Sequence, residues 1–252
     1  MQKIKLYGYA TSPFVRKTGA FLYYKGLDFE HVPVNPIEPE KAIGHTGGTQ
    51  VPVLEIDGEW RTESSDHAHW LDELFPERPL CPAEQQEVVR ELDAWASDFL
   101  HSGFRAATEG AITAPLRTYL WRMAAIVSAD TPLSASVQSG WPEFVSQAPF
   151  IRAMRENMDL TESLEAMRAR LGQELLQHLG DGPYLGGLPN PSMVDLAIFP
   201  NIGFPFIVGL EDTPAFAHVP KLRDWFLRVA EHLPENPVLV QDFLVVNSPS
   251  SI

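Results

Sequence analysis

A single cysteine, Cys81, occurs in 252 residues, which excludes an internal disulfide framework and a cysteine-rich metal site. Basic residues are also scarce: 19 Lys plus Arg stand against 33 Asp plus Glu, a formal charge of −14. That balance argues against nonspecific attraction to nucleic acid or to an anionic membrane. Long apolar runs are missing too. The most apolar stretch, Val194 to Leu210, is broken by Asp195, Pro200, Asn201 and Pro205 and falls short of a membrane span. Met1 to Leu6 show neither the apolar h-region nor the small-residue cleavage site of an export signal, so the expected location is cytoplasmic. No internal repeat or low-complexity tract is visible. What the chain has is 44% hydrophobic content, enough for a real core in one large domain or two modest ones.

The pattern along the chain divides it. Lys3 to Tyr9 reads as a strand, and from Pro13 the residues Phe14, Thr18, Phe21 and Leu22 recur at helical spacing until Gly26. Phe29 to Val34 reads as a second strand, Asn35 to Gly48 as a loop with one helical turn, and Val51 to Thr62 as a hairpin about Asp57-Gly58. A helix follows from Ser64 to Phe75. The prolines at 76, 79 and 82 mark a boundary, giving domains 1–78 and 83–252. Beyond it no strand pattern appears before the tail, and helices are expected over Glu84 to Leu100, Glu162 to Leu179 and Pro220 to Leu233. Between Ala111 and Pro149 four prolines and weak periodicity suggest short helices and loops.

Three places carry candidate chemistry. At the first strand-to-helix turn the chain reads Thr11-Ser12-Pro13-Phe14-Val15, a hydroxyl where a disulfide oxidoreductase would place a Cys-x-x-Cys thiol. Ser before Pro at a helix start is an N-cap pattern. The same geometry lets the hydroxyl, the first amides and the helix dipole stabilise an anion, including a thiolate brought by a ligand. At Gln50-Val51-Pro52-Val53-Leu54, a proline inside a strand pattern begins the strand or marks a cis bond; in the cis form Val51 could pair with an extended peptide. Glu63-Ser64-Ser65-Asp66 reads as a capped helix start, and equally as a seat for the carboxylate and ammonium of an α-amino acid head group.

Together these motifs, with Gly182-Pro183-Tyr184-Leu185-Gly186 and Ser192-x-x-Asp195, resemble those of cytosolic glutathione transferases over nearly the whole chain. The resemblance implies an α/β thioredoxin-like N-terminal domain (βαβ-ββα) followed by an all-α domain. It makes Ser12 the stabiliser of the glutathione thiolate, Val51 with a cis Pro52 the partner of its cysteine backbone, and Glu63 with Ser64 the γ-glutamyl binders. Phe14 and Gln50 complete the implied glutathione site. The Ser-Pro-Phe-Val wording is similar to the serine-type tau class, whereas the omega class has cysteine at that position. Implied partners are glutathione as co-substrate, a small hydrophobic electrophile and a second copy of the chain, with no metal, nucleic acid or membrane. Tyr9, Phe104 and Trp121, with residues from Trp95 to Arg105, are candidate walls of the second-substrate site. Alternatives are a glutathione-dependent isomerase, dehalogenase or lyase, and a noncatalytic binding protein of the same fold.

Two departures bear on the alternatives. Gln50 replaces a basic residue common before Val-Pro, and Lys41 and His45 are the obvious partners for the glycine carboxylate. The Ala111 to Pro149 segment is longer than the family's usual helix connection, a packed insertion or a lid. Ser192-x-x-Asp195 has capping-box spacing and reads as structural. His67 and His69, two apart on a helix, do not share a face for a metal. Tyr7 reads as packing, and Cys81 has no activating cation nearby in sequence.

Overall fold

The computed structural model describes residues 2–108, 112–158 and 160–252. Strand β1 (Ile4–Gly8) leads into helix α1 (Pro13–Lys25) and back into β2 (Glu30–Pro33). Pro13 opens α1, and Gly26 ends it at a φ of 68°, the left-handed cap that a residue without Cβ adopts most easily. The loop that follows carries α2 (Glu40–Ile43) and a 3-10 turn, then β3 (Val53–Ile56), β4 (Glu59–Arg61) and α3 (Ser64–Leu74).

The sheet order is β2-β1-β3-β4, with β1 parallel to β2 and antiparallel to β3, and β3 antiparallel to β4. Tyr7 pairs with Val53, and Leu54 with Arg61. This register gathers the end of β1, the start of β3 and the end of β4 at one end of the sheet, and α1 and α3 both begin there. Alternation sends Ile4, Leu6, Leu54 and Ile56 into the main core with Phe21, Leu22 and Leu71. Tyr7 and Val53 pack on the other face with Val34 and Ile43. Gly8 permits close approach of strand and helix, since a Cβ there would lie 2.3 Å from a Val15 methyl.

The remainder is helical: α4 (Gln86–Ser102), α5 (Arg105–Thr108), α6 (Ala114–Asp130), α7 (Ala135–Ser139), α8 (Trp141–Gln147), α9 (Pro149–Asn157), α10 (Leu164–Leu179), α11 (Met193–Ile207) and α12 (Pro220–Ala230). The apolar stretch after Val194 is α11, which packs against α1 and α4 and is apolar all round because neighbours cover it all round. None of the described helices is long and apolar enough to cross a membrane.

Three expectations need correction. The middle segment, whose first residue Ala111 lies outside the described residues, contains the 17-residue helix α6 as well as short ones. Its prolines at 115, 142 and 149 sit in first helical turns, where a missing N–H costs nothing. It builds a small core of its own around Leu120 and Trp141, and a second one joins Ala148 near its end to Ala107 and Ile151. The tail forms 3-10 turns, at Asp242–Leu244 and Pro249–Ser251, in place of a strand pattern. The helix at 64 is capped in position by Glu63 without a side-chain bond.

Candidate functional site

Ser12 takes the extended backbone of an N-cap (φ −79°, ψ 125°), yet its side chain makes no cap hydrogen bond. The contrast with other helix starts is sharp. Thr113, Ser134, Ser163, Ser192 and Ser248 each accept a bond from their own helix through the side chain. Among described Ser and Thr N-caps, Ser12 is the exception, and it is only 6% exposed. Its hydroxyl and the first-turn amides of α1 are uncommitted at the positive end of the helix dipole.

Arg16, one turn on, lies beneath this end. Its guanidinium donates to the Ala10 carbonyl (2.7 Å) and twice to Asn201 Oδ1 (3.1 and 2.7 Å), and stacks 4.1 Å over the Phe204 ring. All of these partners are neutral, so among the described residues no carboxylate cancels the charge. Burial pushes its pKa down to about 10, which leaves it cationic at neutral pH. Among the described residues, an acidic protein thus keeps a buried cation under the start of α1 with no carboxylate against it.

The Val51-Pro52 bond is cis. The ladder with β1 begins at Val53, so the backbone of Val51 lies outside it. Glu63 is exposed and Ser64 buried at the start of α3, again with no side-chain cap. His67 fixes this turn from below: Nδ1 meets Thr18 Oγ1 at 3.0 Å and Nε2 meets the Arg61 carbonyl at 2.9 Å. Burial lowers its pKa to about 4, so the neutral ring donates through Nε2 and accepts at Nδ1. Ser12, Val51, Pro52, Glu63 and Ser64 therefore share one end of the sheet.

The remaining candidates are placed less centrally. Phe14 meets the His101 ring at 5.1 Å, joining the start of α1 to the end of α4. His101 borders a cavity of about 930 Å³ between α4, α9 and α10, with Trp95, Phe99, Met154, Met158 and Met167 on its walls. Tyr9 packs beside Val53 and Ile43, and burial raises its hydroxyl pKa to about 12. The Tyr7 hydroxyl donates to Glu55. Phe104, just before α5, packs on Phe150 of α9 at 5.5 Å. Trp121 donates to the Ser139 carbonyl, and it sits about 200° around α6 from Tyr119, which faces Arg16 electrostatically. Neither Phe104 nor Trp121 is brought to Ser12 by these contacts. Gln50 is exposed, Lys41 pairs with Glu38 at 2.7 Å, and His45 rests against Tyr7 and Trp60. Cys81 is buried, and burial raises its thiol pKa. Sequence reasoning missed Arg16, Lys17 and Asn201; the signal was a pair of cations inside an otherwise apolar helix.

Residues 6–79 match the family model described as glutathione S-transferase, N-terminal domain. Mouse glutathione S-transferase omega-1 is 27% identical over 88% of this chain and 75% of its own length. A glutathione S-transferase structure from Rhodospirillum rubrum superposes with a TM-score of 0.64 over 98% of both chains, at 22% identity. Residues 6–79 thus match a glutathione S-transferase N-terminal domain, and the whole chain has the fold of glutathione S-transferases. It is also similar to LigF of Sphingobium, 36% identical over 38% of this chain and 40% of LigF. The structure described as beta-etherase LigF has a TM-score of 0.59 at 22% identity, covering 90% of this chain and 94% of that one. In sequence, the chain spans less than half of LigF.

Proposed function

We propose that this chain is a glutathione transferase that binds glutathione at the end of the sheet where α1 and α3 begin. Domains 1–78 and 83–252 would supply the tripeptide site and the electrophile site respectively. The observation that carries the reading is the idle Ser12 hydroxyl above the uncompensated Arg16. A thiolate at that point would accept from Ser12 and from the first amides of α1, and each pKa unit of lowering contributes about 1.4 kcal/mol. Val51 would pair with the cysteine backbone, while Ser64 and the start of α3 receive the γ-glutamyl carboxylate and Glu63 its ammonium. The electrophile would lie where the cavity beside His101 meets Phe14, in line with the sulfur.

Similarity to LigF favours one form of this reaction, substitution at an ether carbon. The glutathione sulfur forms a C–S bond as the C–O bond breaks, and the phenolate leaves with the electron pair and takes a proton from water. Two measurements test the proposal. Calorimetry should show glutathione binding, and an aryl ether substrate should yield equal amounts of phenol and thioether. Absence of heat at millimolar glutathione overturns both the transferase and the ether-cleaving form. Binding with conjugation of a halogenated aromatic but no phenol release rejects the ether form alone. Cytoplasmic location and homodimerisation follow from the family resemblance and are part of the same proposal.

A further inference from the structure

The cavity beside His101 combines apolar walls with an unbalanced charge. Trp95, Phe99, Met154, Met158, Met167 and Leu171 place aromatic rings and thioethers around about 930 Å³, room for a substituted aromatic ring. Its charged lining is one guanidinium, Arg170, against three carboxylates, Asp98, Glu162 and Glu174. The guanidinium is already engaged. Arg170 donates from Nε to Glu162 Oε1 at 3.1 Å, from Nη2 to Glu162 Oε2 at 2.9 Å and from Nη1 to Glu174 Oε1 at 2.9 Å, and these carboxylates raise its pKa. The other oxygen of Glu174 accepts from Trp95 Nε1 at 3.0 Å, which fixes the indole on the wall. Asp98 stands apart: it is exposed on the lining and, among the described residues, forms no ion pair and no side-chain hydrogen bond. His101, one turn on, has its pKa lowered by burial and is neutral at pH 7, so it does not offset Asp98.

We propose that this cavity selects aromatic electrophiles whose remote substituent is a hydroxyl or an ammonium and turns away carboxylates and sulfonates, with Asp98 as the specificity-determining residue. The proposal rests on the placement of the electrophile in this cavity, given above. Asp98 accepts from a hydroxyl or ammonium in a charge-assisted bond, and the Trp95 and Phe99 rings favour a cation beside them. An anion meets an excess of two negative charges and, on the described lining, no cation free to receive it. Apolar walls set the size and shape of the substrate; the charge of the lining sets the sign of its polar group.

The probes are glutathione thioethers, which carry the tripeptide and the aryl group in one molecule. They are S-benzylglutathiones with a para hydroxymethyl, aminomethyl (protonated at neutral pH) or carboxymethyl group, and S-methylglutathione is the reference. Calorimetry measures each on wild-type protein and on Asp98→Asn. On wild type the hydroxymethyl and aminomethyl probes should bind more tightly than S-methylglutathione, and the carboxymethyl probe about tenfold more weakly than the aminomethyl one. In Asp98→Asn that ratio should shrink to about threefold. Raising salt from about 0.05 M to about 0.5 M should narrow it on wild type in the same direction, and this series decides the question if the variant does not fold. A carboxymethyl probe that binds wild type as tightly as the aminomethyl one, or a ratio unmoved by salt, overturns the selectivity. A ratio unmoved in folded Asp98→Asn overturns the role of Asp98. In each of these cases binding of S-methylglutathione leaves the glutathione reading standing. Aryl probes that bind no more tightly than S-methylglutathione take the aryl group out of the cavity, and this proposal with it. No binding of any probe, S-methylglutathione included, overturns the glutathione reading itself.

Discussion

Ser12 and Ser192 both occupy the N-cap of a buried helix, and both are themselves buried. At Ser192 the side chain accepts from Val194 N, and the Asp195 carboxylate receives Ser192 N, Ser192 Oγ, Leu185 N and Trp225 Nε1. At Ser12 there is no such closure. The difference extends to the regions around them. In the helical part, α6, α7, α10 and α11 are capped by their own Thr or Ser, while α4, α8, α9 and α12 begin without a side-chain cap. In the sheet-bearing part, α1 and α3 are secured from outside: Arg16 grips the Ala10 carbonyl, His67 the Arg61 carbonyl, and Lys17 the Ser65 hydroxyl. A helix held from outside keeps its first amides available, and one capped by itself does not.

The comparison is broken most directly at Asp195. Asp195→Ala leaves Leu185 N and Trp225 Nε1 buried without an acceptor, and should lower unfolding stability by about 3 kcal/mol or more in urea titration. A loss below about 1 kcal/mol would show that the closed start is not structural.

His67 gives a pH test of the externally held turn. Its folded pKa of about 4 lies below the unfolded value of 6.5, so between those values the unfolded state binds the extra proton. Stability should therefore fall as pH drops from 6.5 toward 4, His67 contributing about 3 kcal/mol of the loss. The folded pKa values of His31, His101, His178 and His232 are also lowered by burial and act in the same direction. In His67→Gln the decline over that window should be shallower; an identical slope removes the assignment.

Ser12→Ala and Ser192→Ala sharpen the contrast. The first should slow conjugation by about 10²-fold, as loss of one donor to a developing anion does, with glutathione affinity within a few-fold. Its stability should change by less than about 0.5 kcal/mol, because no cap bond is lost. Ser192→Ala should cost about 1 kcal/mol of stability by the same denaturation assay. Equal destabilisation by the two variants, with turnover unchanged in Ser12→Ala, would return Ser12 to ordinary helix capping.

Much of this was legible along the chain. Ser-Pro at 12–13 and Gly26 delimit α1, Asp57-Gly58 forms the hairpin turn, and Ser192-x-x-Asp195 closes its capping box. These signals act over two to four residues, so sequence carries them. The length of α6 was hidden because Pro115 weakens the helical pattern at a position where it is harmless. Tyr9, Phe104 and Trp121 were expected as walls of the second-substrate site; in the structure Phe104 packs on Phe150 and Trp121 donates to the Ser139 carbonyl, contacts that no local pattern encodes.

By itself, the sequence determined the elements of the sheet-bearing part, α10, α12 and the three motifs, because local backbone preferences and hydrophobic period act between near neighbours. Tertiary structure decided which helix starts are left open. The register of β1, β3 and β4 brings the motifs to one end, and contacts from Arg16 to Asn201 and from Lys17 to Asp93 cross 185 and 76 residues of chain. Whether a serine hydroxyl caps its own helix, as Ser192 does, or stays uncommitted, as Ser12 does, is settled by tertiary packing that no spacing rule encodes.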